Sequence, residues 1–193
     1  MKSRLFLALV LSAVATSCLS PRDTPTVRTF LPARAVSLRE VESGARLFLR
    51  EPEVVAASHL RSPLLWRLSR VEIFYDEANL WAQQPEEIVR EALAEMLFGS
   101  GPFLMLPARN APRLEVRVEE FEGLLYEGER ARLRITATLL EDSGDVPKRR
   151  SFEAERPTGE RSSAALARSL GEGLTDVLEE VRDWLISELA TDS

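Results

Sequence analysis

Apolar and polar residues alternate most regularly in the second half of the chain, with the period of a β-strand. The first run alternates with charged residues up to Phe121, where the break in the pattern predicts a bulge or the end of the strand. Residues 131–139 repeat the alternation, and a third run places Phe152 and Ala154 on one side. Three such runs joined by turns predict an antiparallel meander with one buried and one charged face. The inward positions of the first run are Leu114, Val116 and Val118.

Two other stretches repeat apolar residues every three or four positions, which is the period of an amphipathic helix. The first begins at Pro85, because proline is tolerated in the first helical turn, and it ends at Gly99. The second covers residues 162–189, and Gly171 and Gly173 in its middle predict either close packing or a kink. Its apolar stripe comprises Leu166, Leu170, Leu174, Val177, Leu178, Val181, Leu185 and Leu189.

Short apolar runs outside these stretches predict the remaining strands. Residues 53–62 fit a short helix or an irregular loop equally well. Strands combined with two amphipathic helices predict an α+β fold, in which an antiparallel or mixed sheet has both helices packed on one face. The predicted strands cover residues 27–31, 46–50, 64–68, 71–75 and 103–106, and the third and fourth of them pair through a tight connection.

The beginning of the chain has the order of features that is typical of a secretory signal. Lys2 and Arg4 precede an apolar run over residues 5–11 that is too short to span a bilayer, and small residues follow over 12–17. Cys18 is the only cysteine, so it cannot form an internal disulfide. The segment resembles a lipobox, which implies a diacylglycerol on the Cys18 thiol and an acyl chain on its new amine. An ordinary signal peptide with an incidental cysteine is the alternative.

These features divide the chain into three parts. Residues 1–17 form the signal peptide, residues 18–26 the acylated cysteine with its proline-stiffened tether, and residues 27–193 a single periplasmic α+β domain. By resemblance to the sorting rules of bacteria with two membranes, a leucine rather than an aspartate at position 19 favours the outer membrane. We therefore expect a protein that is lipid-anchored in the outer membrane and faces the periplasm.

The charge of the chain narrows the classes of partner. The formal net charge is −6, and loss of residues 1–17, which hold two basic residues and no acidic one, changes it to −8. An acidic domain argues against nucleic acid as a partner and against purely electrostatic docking on anionic headgroups. No second apolar run approaches the length of a membrane helix, so the acyl anchor is the expected membrane attachment.

Residues that could carry catalysis are scarce. His59 is the only histidine, and its sequence neighbour Ser58 does not thereby lie in catalytic geometry. Paired carboxylates such as Glu86 and Glu87 stand where solvated charge is ordinary. We therefore predict no enzymatic activity, no metal site and no cofactor.

Three apolar groups, at residues 64–66, 80–81 and 124–126, are candidates for a surface that binds a partner, and a place in the core is the alternative for each. Leu64, Leu65 and Trp66 are consecutive in a predicted strand, so at least one large side chain faces away from the main core. The preceding loop, a neighbouring subunit or a transport partner would have to cover it. Leu80 and Trp81 form the second group. The candidate surface comprises Leu65, Trp66, Leu80 and Trp81.

The order of these features resembles the ABC-type transport auxiliary lipoprotein family. After the lipobox cysteine and the tether, residues 71–88 resemble the family's strand followed by a Trp-Ala pair that leads into a helix. Residues 114–122, the meander and a terminal amphipathic helix complete the likeness, although Leu80 stands where the family often has arginine. The resemblance implies an accessory, non-catalytic protein that works beside ABC transporters and periplasmic MCE-domain proteins, which carry lipids between the two membranes.

The sequence thus predicts an accessory subunit of an ABC/MCE-type phospholipid transport system. The resemblance implies an MCE-domain protein and an ABC permease and ATPase complex as partners, and a homo-oligomeric ring, since some relatives form rings. One alternative is a lipoprotein that assembles or plugs an outer-membrane β-barrel, as lipopolysaccharide-assembly lipoproteins do. A lipoprotein hydrolase is a third alternative, against which the missing nucleophile–histidine setting argues.

Overall fold

The structure is a computed structural model, and it describes most of the chain after the tether. The predicted signal peptide, Cys18 and most of the turn 141–145 lie outside the described residues. The described residues are 26–32, 47–99, 101–108, 111–126, 128–141 and 146–191.

Nine strands and two helices make up the described part. The strands are β1 (Arg28–Phe30), β2 (Leu47–Leu49), β3 (Glu53–Ala56), β4 (Pro63–Arg67), β5 (Ile73–Trp81), β6 (Phe103–Met105), β7 (Arg113–Leu124), β8 (Arg130–Leu140) and β9 (Lys148–Pro157). The helices are α1 (Pro85–Ala94), which a π-helical turn over Glu95–Gly99 extends, and α2 (Ser163–Thr191).

Seven of the strands form one mixed sheet. Its order is β1-β5-β4-β7-β8-β9, and β7 is long enough to pair on one side with both β3 and β4, which run parallel to it. The meander β7-β8-β9 and the pair β4-β5 are antiparallel. β2 and β6 form a separate parallel pair, here called the small sheet. The predicted α+β class with a mixed sheet and two helices is confirmed.

A bulge in β7 keeps both parts of the strand directed towards the helices. The register with β8 shifts between Val118 and Glu120. The partners of Val118 and Phe121 are Ile135 and Leu133, which are two residues apart and therefore share one face of β8. The break at Phe121 thus marks a bulge and not the end of the strand, and the side chains on this face of the meander are buried.

Both helices begin with local signals that the sequence contains. Pro85 opens α1, and the Glu87 carboxylate accepts a hydrogen bond from the backbone N–H of Gln84 at 3.3 Å. The Ser162 hydroxyl accepts from the backbone N–H of Ala165 at 3.1 Å at the start of α2. A Cβ atom on Gly173 would lie 3.3 Å from that of Ala154 in β9, so this glycine allows close packing of helix on strand.

Two strands differ from the prediction. Residues 53–56 form β3 rather than a helix or loop, because their backbone pairs with β7 much later in the chain. β5 extends beyond residue 75 to Trp81, because β1 pairs with its last residues from Asn79 onward. None of the helices in the described ranges is both long and apolar enough to cross a bilayer.

Candidate interaction surfaces

The structure places most of the predicted partner-binding residues in the core. Leu65, Trp66 and Trp81 are only 2, 5 and 4% exposed, and Leu80 is half-buried. The prediction that Leu65, Trp66 and Trp81 form a docking surface is therefore wrong for the folded domain. Leu80, which pairs with Thr29 and Pro63, stays a prediction.

Trp66 and Trp81 are both buried because β7 supplies a residue that packs against each ring. Trp66 lies over Gly123 of β7, so closely that a Cβ atom at this glycine would overlap the indole ring. The ring of Trp81 meets Phe121 edge to face, with centroids 5.1 Å apart. Both side chains thus stabilise the sheet core.

The chain itself supplies the cover that Leu65 requires. Leu65 pairs across the sheet with Tyr75, whose hydroxyl donates a hydrogen bond to the backbone carbonyl of His59 at 2.9 Å. The Arg61 guanidinium lies 5.6 Å from the centre of the Tyr75 ring. The connection between β3 and β4 therefore lies over this face, which was one of the three covers that the sequence left open.

Charged residues on this same face of the sheet, opposite the helices, are paired across strands. Arg67 donates to both carboxylate oxygens of Glu122 at 2.5 and 3.0 Å, and Glu122 is completely buried. Farther along, Arg134 contacts Glu119 at 3.2 Å and Glu120 at 2.7 Å. Further contacts join Arg132 and Arg130 to Glu155 at 3.0 and 2.7 Å.

The pKa values of two groups in this network are raised, for different reasons. The hydrogen bond that Arg67 donates to Glu122 raises the pKa of the guanidinium above its usual range. Burial raises the pKa of the Glu120 carboxyl above its ordinary value of 4.5, although Arg134 acts against this rise. These guanidinium and carboxylate groups contact one another across neighbouring strands. We therefore interpret their network as one that holds the sheet together.

The small sheet exposes apolar side chains outside the candidate surface that the sequence predicted. Phe48 and Leu104 are register partners on its outer side and are 49 and 36% exposed. Leu106, two residues farther on, is also 36% exposed. We call Phe48, Leu104 and Leu106 the outer apolar face. The signal in the sequence was the run of apolar residues at 103–106, but an unbroken run does not show which side chains face outward.

A cleft of about 610 Å³ opens beside the small sheet. Val55 and Met105, which are both exposed, contribute apolar atoms to it. Both signs of charge line it, from Arg50, Arg90, Glu51 and Glu53. The cleft thus combines apolar side chains with charges of both signs, which suits an amphiphilic contact better than a purely ionic one.

Of the residues considered for catalysis, His59 and Glu86 each have one buried side-chain atom, Nε2 and Oε2, without a hydrogen-bond partner in the described structure. His59 is half-buried in the turn after β3, and its carbonyl is the acceptor for Tyr75. Across the described ranges, histidine, cysteine, aspartate and glutamate form no cluster of three that could hold a metal ion.

Comparison with solved structures identifies the fold. The structure is similar to a crystal structure of an uncharacterized protein, with a TM-score of 0.65, 17% identity and coverage of 83% of this chain and 99% of that one. It is also similar to protein XCC0632 from Xanthomonas campestris, with a TM-score of 0.68, 22% identity and coverage of 86% of this chain and 99% of that one. At these identities the likeness concerns the fold alone.

The sequence itself identifies the family. None of the curated proteins matches the chain. The sequence model of one family, described as the ABC-type transport auxiliary lipoprotein component, matches residues 31–182. This match spans most of the described structure, from the end of β1 into the last turns of α2. The chain therefore belongs to the ABC-type transport auxiliary lipoprotein component family.

Proposed function

We propose that the chain is a non-catalytic accessory subunit of an ABC/MCE-type transport system that moves phospholipid between the inner and outer membranes. Its partners in this proposal are an MCE-domain protein and the ABC permease and ATPase complex. The protein is lipid-anchored in the outer membrane through Cys18 and faces the periplasm. The single observation that carries the proposal is the family match over residues 31–182, since the family is an auxiliary component of ABC-type transport.

The mechanism that we propose is scaffolding. The acyl chains on Cys18 fix the domain at the membrane, because each buried methylene contributes about 0.8 kcal/mol and two chains already anchor a protein stably. The domain then holds a transporter subunit near its anchor. Assembly of several copies into a homo-oligomeric ring is part of the proposal, and its support is the resemblance to the family.

A matched pair of chains tests the anchor. In cells given labelled palmitate, we expect the wild-type protein to carry the label and to fractionate with the outer membrane. The Cys18→Ser chain should carry no label, because its hydroxyl replaces the only thiol, and its folded domain should be released into the periplasm. Its transport function should be lost as well.

The released Cys18→Ser domain also serves as its own folding control, by circular dichroism. Label on the serine variant, or a variant that stays in the membrane fraction, would contradict the anchor. Labelled wild-type protein that is found only in the inner membrane would contradict the proposed outer-membrane location, but it would still support acylation of Cys18.

A further inference from the structure

We propose that the outer apolar face of the small sheet rests on the bilayer that holds the anchor, at the boundary between headgroups and acyl chains of zwitterionic phospholipids. This inference rests on the proposed function, because it takes the acylated Cys18 as given. It adds a second, non-covalent contact with the membrane, and two points of attachment fix the orientation of the domain where a single point does not.

The outer apolar face is presented by a rigid element. The inward residues of the same strands, Leu49 and Phe103, are fully buried in the core. The backbone carbonyl of Leu49 also accepts a hydrogen bond from the backbone N–H of Leu106 at 3.0 Å. The backbone N–H of Arg50 donates to the backbone carbonyl of Pro112 at 2.9 Å. Because the strands are held in this way, the outward side chains cannot turn inward without disrupting the core. Exposed apolar side chains grouped on one face are typical of an interaction site.

The length of the tether keeps the domain close to the bilayer. Eight residues follow Cys18 up to Thr26, where the described structure begins, and they span at most about 28 Å when fully extended. A chain of this size folds to a diameter of about 40 Å, so the tether is shorter than the domain. The bilayer is thus present at a high effective concentration, and a small apolar face is sufficient to orient the domain on it.

The charges beside the outer apolar face fit a zwitterionic headgroup. Arg50 and Arg90 line the adjoining cleft, and neither has an ion pair with any residue that the structure describes. A guanidinium group binds phosphate well, and the nearby carboxylate of Glu51 suits an ammonium group, whereas Glu53 contacts Arg113 at 3.9 Å. A strongly anionic surface would instead repel a domain of net negative charge.

The depth of contact is limited by the backbone of the small sheet. In the described structure β2 and β6 pair only with each other, so each has one edge whose backbone N–H and C=O groups pair with no other described strand. Such groups are not tolerated in the hydrocarbon interior, where they have no hydrogen-bonding partner. Contact at the level of the headgroups satisfies these groups with water and leaves the apolar side chains against the upper acyl chains.

A single thiol makes this contact measurable in the intact lipoprotein. Because Cys18 is the only cysteine and the anchor occupies it, a Leu104→Cys chain has one free thiol for an environment-sensitive fluorophore. The acylated chain is placed in vesicles of phosphatidylethanolamine and phosphatidylcholine, with or without a nitroxide on the phosphatidylcholine headgroup. We expect the nitroxide to lower the emission at least about twofold, as for a side chain in the interfacial layer.

Val71→Cys is the matched control. Val71 is 95% exposed in the connection that precedes β5, next to the end of β4 that pairs with Leu124. The outer apolar face lies at the opposite end of β7, where Arg50 meets Pro112. We expect the nitroxide to leave the emission of a label at Val71 unchanged. Adding Phe48→Asp to the labelled Leu104→Cys chain should abolish the quenching, and Leu106→Asp should do the same if Phe48→Asp misfolds.

The possible failures can be told apart by flotation of the vesicles. A chain that floats with the vesicles but shows no quenching at position 104 would overturn this inference and leave the proposed function intact. A chain that does not float would overturn the anchor and both proposals with it. A change in emission that follows the protein concentration, and not the nitroxide, would assign the outer apolar face to a second copy of the chain and would also overturn the inference.

Discussion

Trp81→Ala should lower the free energy of unfolding by about 3–5 kcal/mol, the range for removing a large buried aromatic side chain. The Trp81 ring is almost fully buried and packs edge to face against Phe121 in β7. Its removal leaves a cavity between β5 and β7 that the sheet cannot close, because β4 holds the two strands apart. Urea unfolding of the Cys18→Ser chain, with and without the substitution, measures the loss.

Phe74→Ala is a suitable control for the cavity, because Phe74 lies in the same strand and about half of its surface is exposed. We expect Phe74→Ala to lower the free energy of unfolding by only a small fraction of the decrease caused by Trp81→Ala. If Trp81→Ala unfolded at the wild-type urea concentration and only capture of a partner were lost, Trp81 would belong to a docking surface as the sequence predicted. That result would contradict the core position seen in the structure.

Arg67→Ala should have an effect of similar size for a different physical reason. The Glu122 carboxylate is completely buried, and both of its oxygens accept hydrogen bonds from Arg67. Removing the guanidinium leaves a buried negative charge without its partner, which costs about 3–5 kcal/mol. The same urea unfolding measurement detects the loss as a lower transition midpoint.

Two further variants separate this cost from the loss of a positive charge. Arg130→Ala removes the same charge from a partly exposed pair with Glu155, and it should cost at most about 1 kcal/mol. The double variant Arg67→Met with Glu122→Leu removes both charges together, and it should recover most of the stability that Arg67→Ala loses. Equal losses for Arg67→Ala and Arg130→Ala would show that Glu122 is reached by solvent and does not need Arg67.

The elements that could be predicted from the sequence are those whose pattern is local. The periodicity of α1, α2 and the meander is contained within each element, and so is the break that marks the bulge in β7. β3 could not be predicted, because its four residues become a strand only by pairing with β7. The same is true of the last residues of β5, whose outer partner is β1.

The location of the interaction surface was predicted less well, because burial depends on what covers a face. Consecutive apolar residues at 64–66 show that both faces of β4 need cover, and the connection before β4 supplies one of the covers. The pattern at 103–106 is similar, yet Leu104 and Leu106 stay exposed, because the small sheet has no layer on its outer side in the described structure. Local pattern therefore distinguishes strands from helices but not covered faces from open ones.

The proposed partnership is tested most directly by affinity capture. The tagged, acylated protein would be captured from gently solubilised membranes after mild crosslinking, and its companions identified by mass spectrometry, with the tagged Cys18→Ser chain as the control. We expect an MCE-domain protein together with subunits of an ABC permease and ATPase, enriched with the wild-type protein over the control. An outer-membrane β-barrel with neither of these would contradict the proposed partnership, and would assign this lipoprotein to barrel assembly instead.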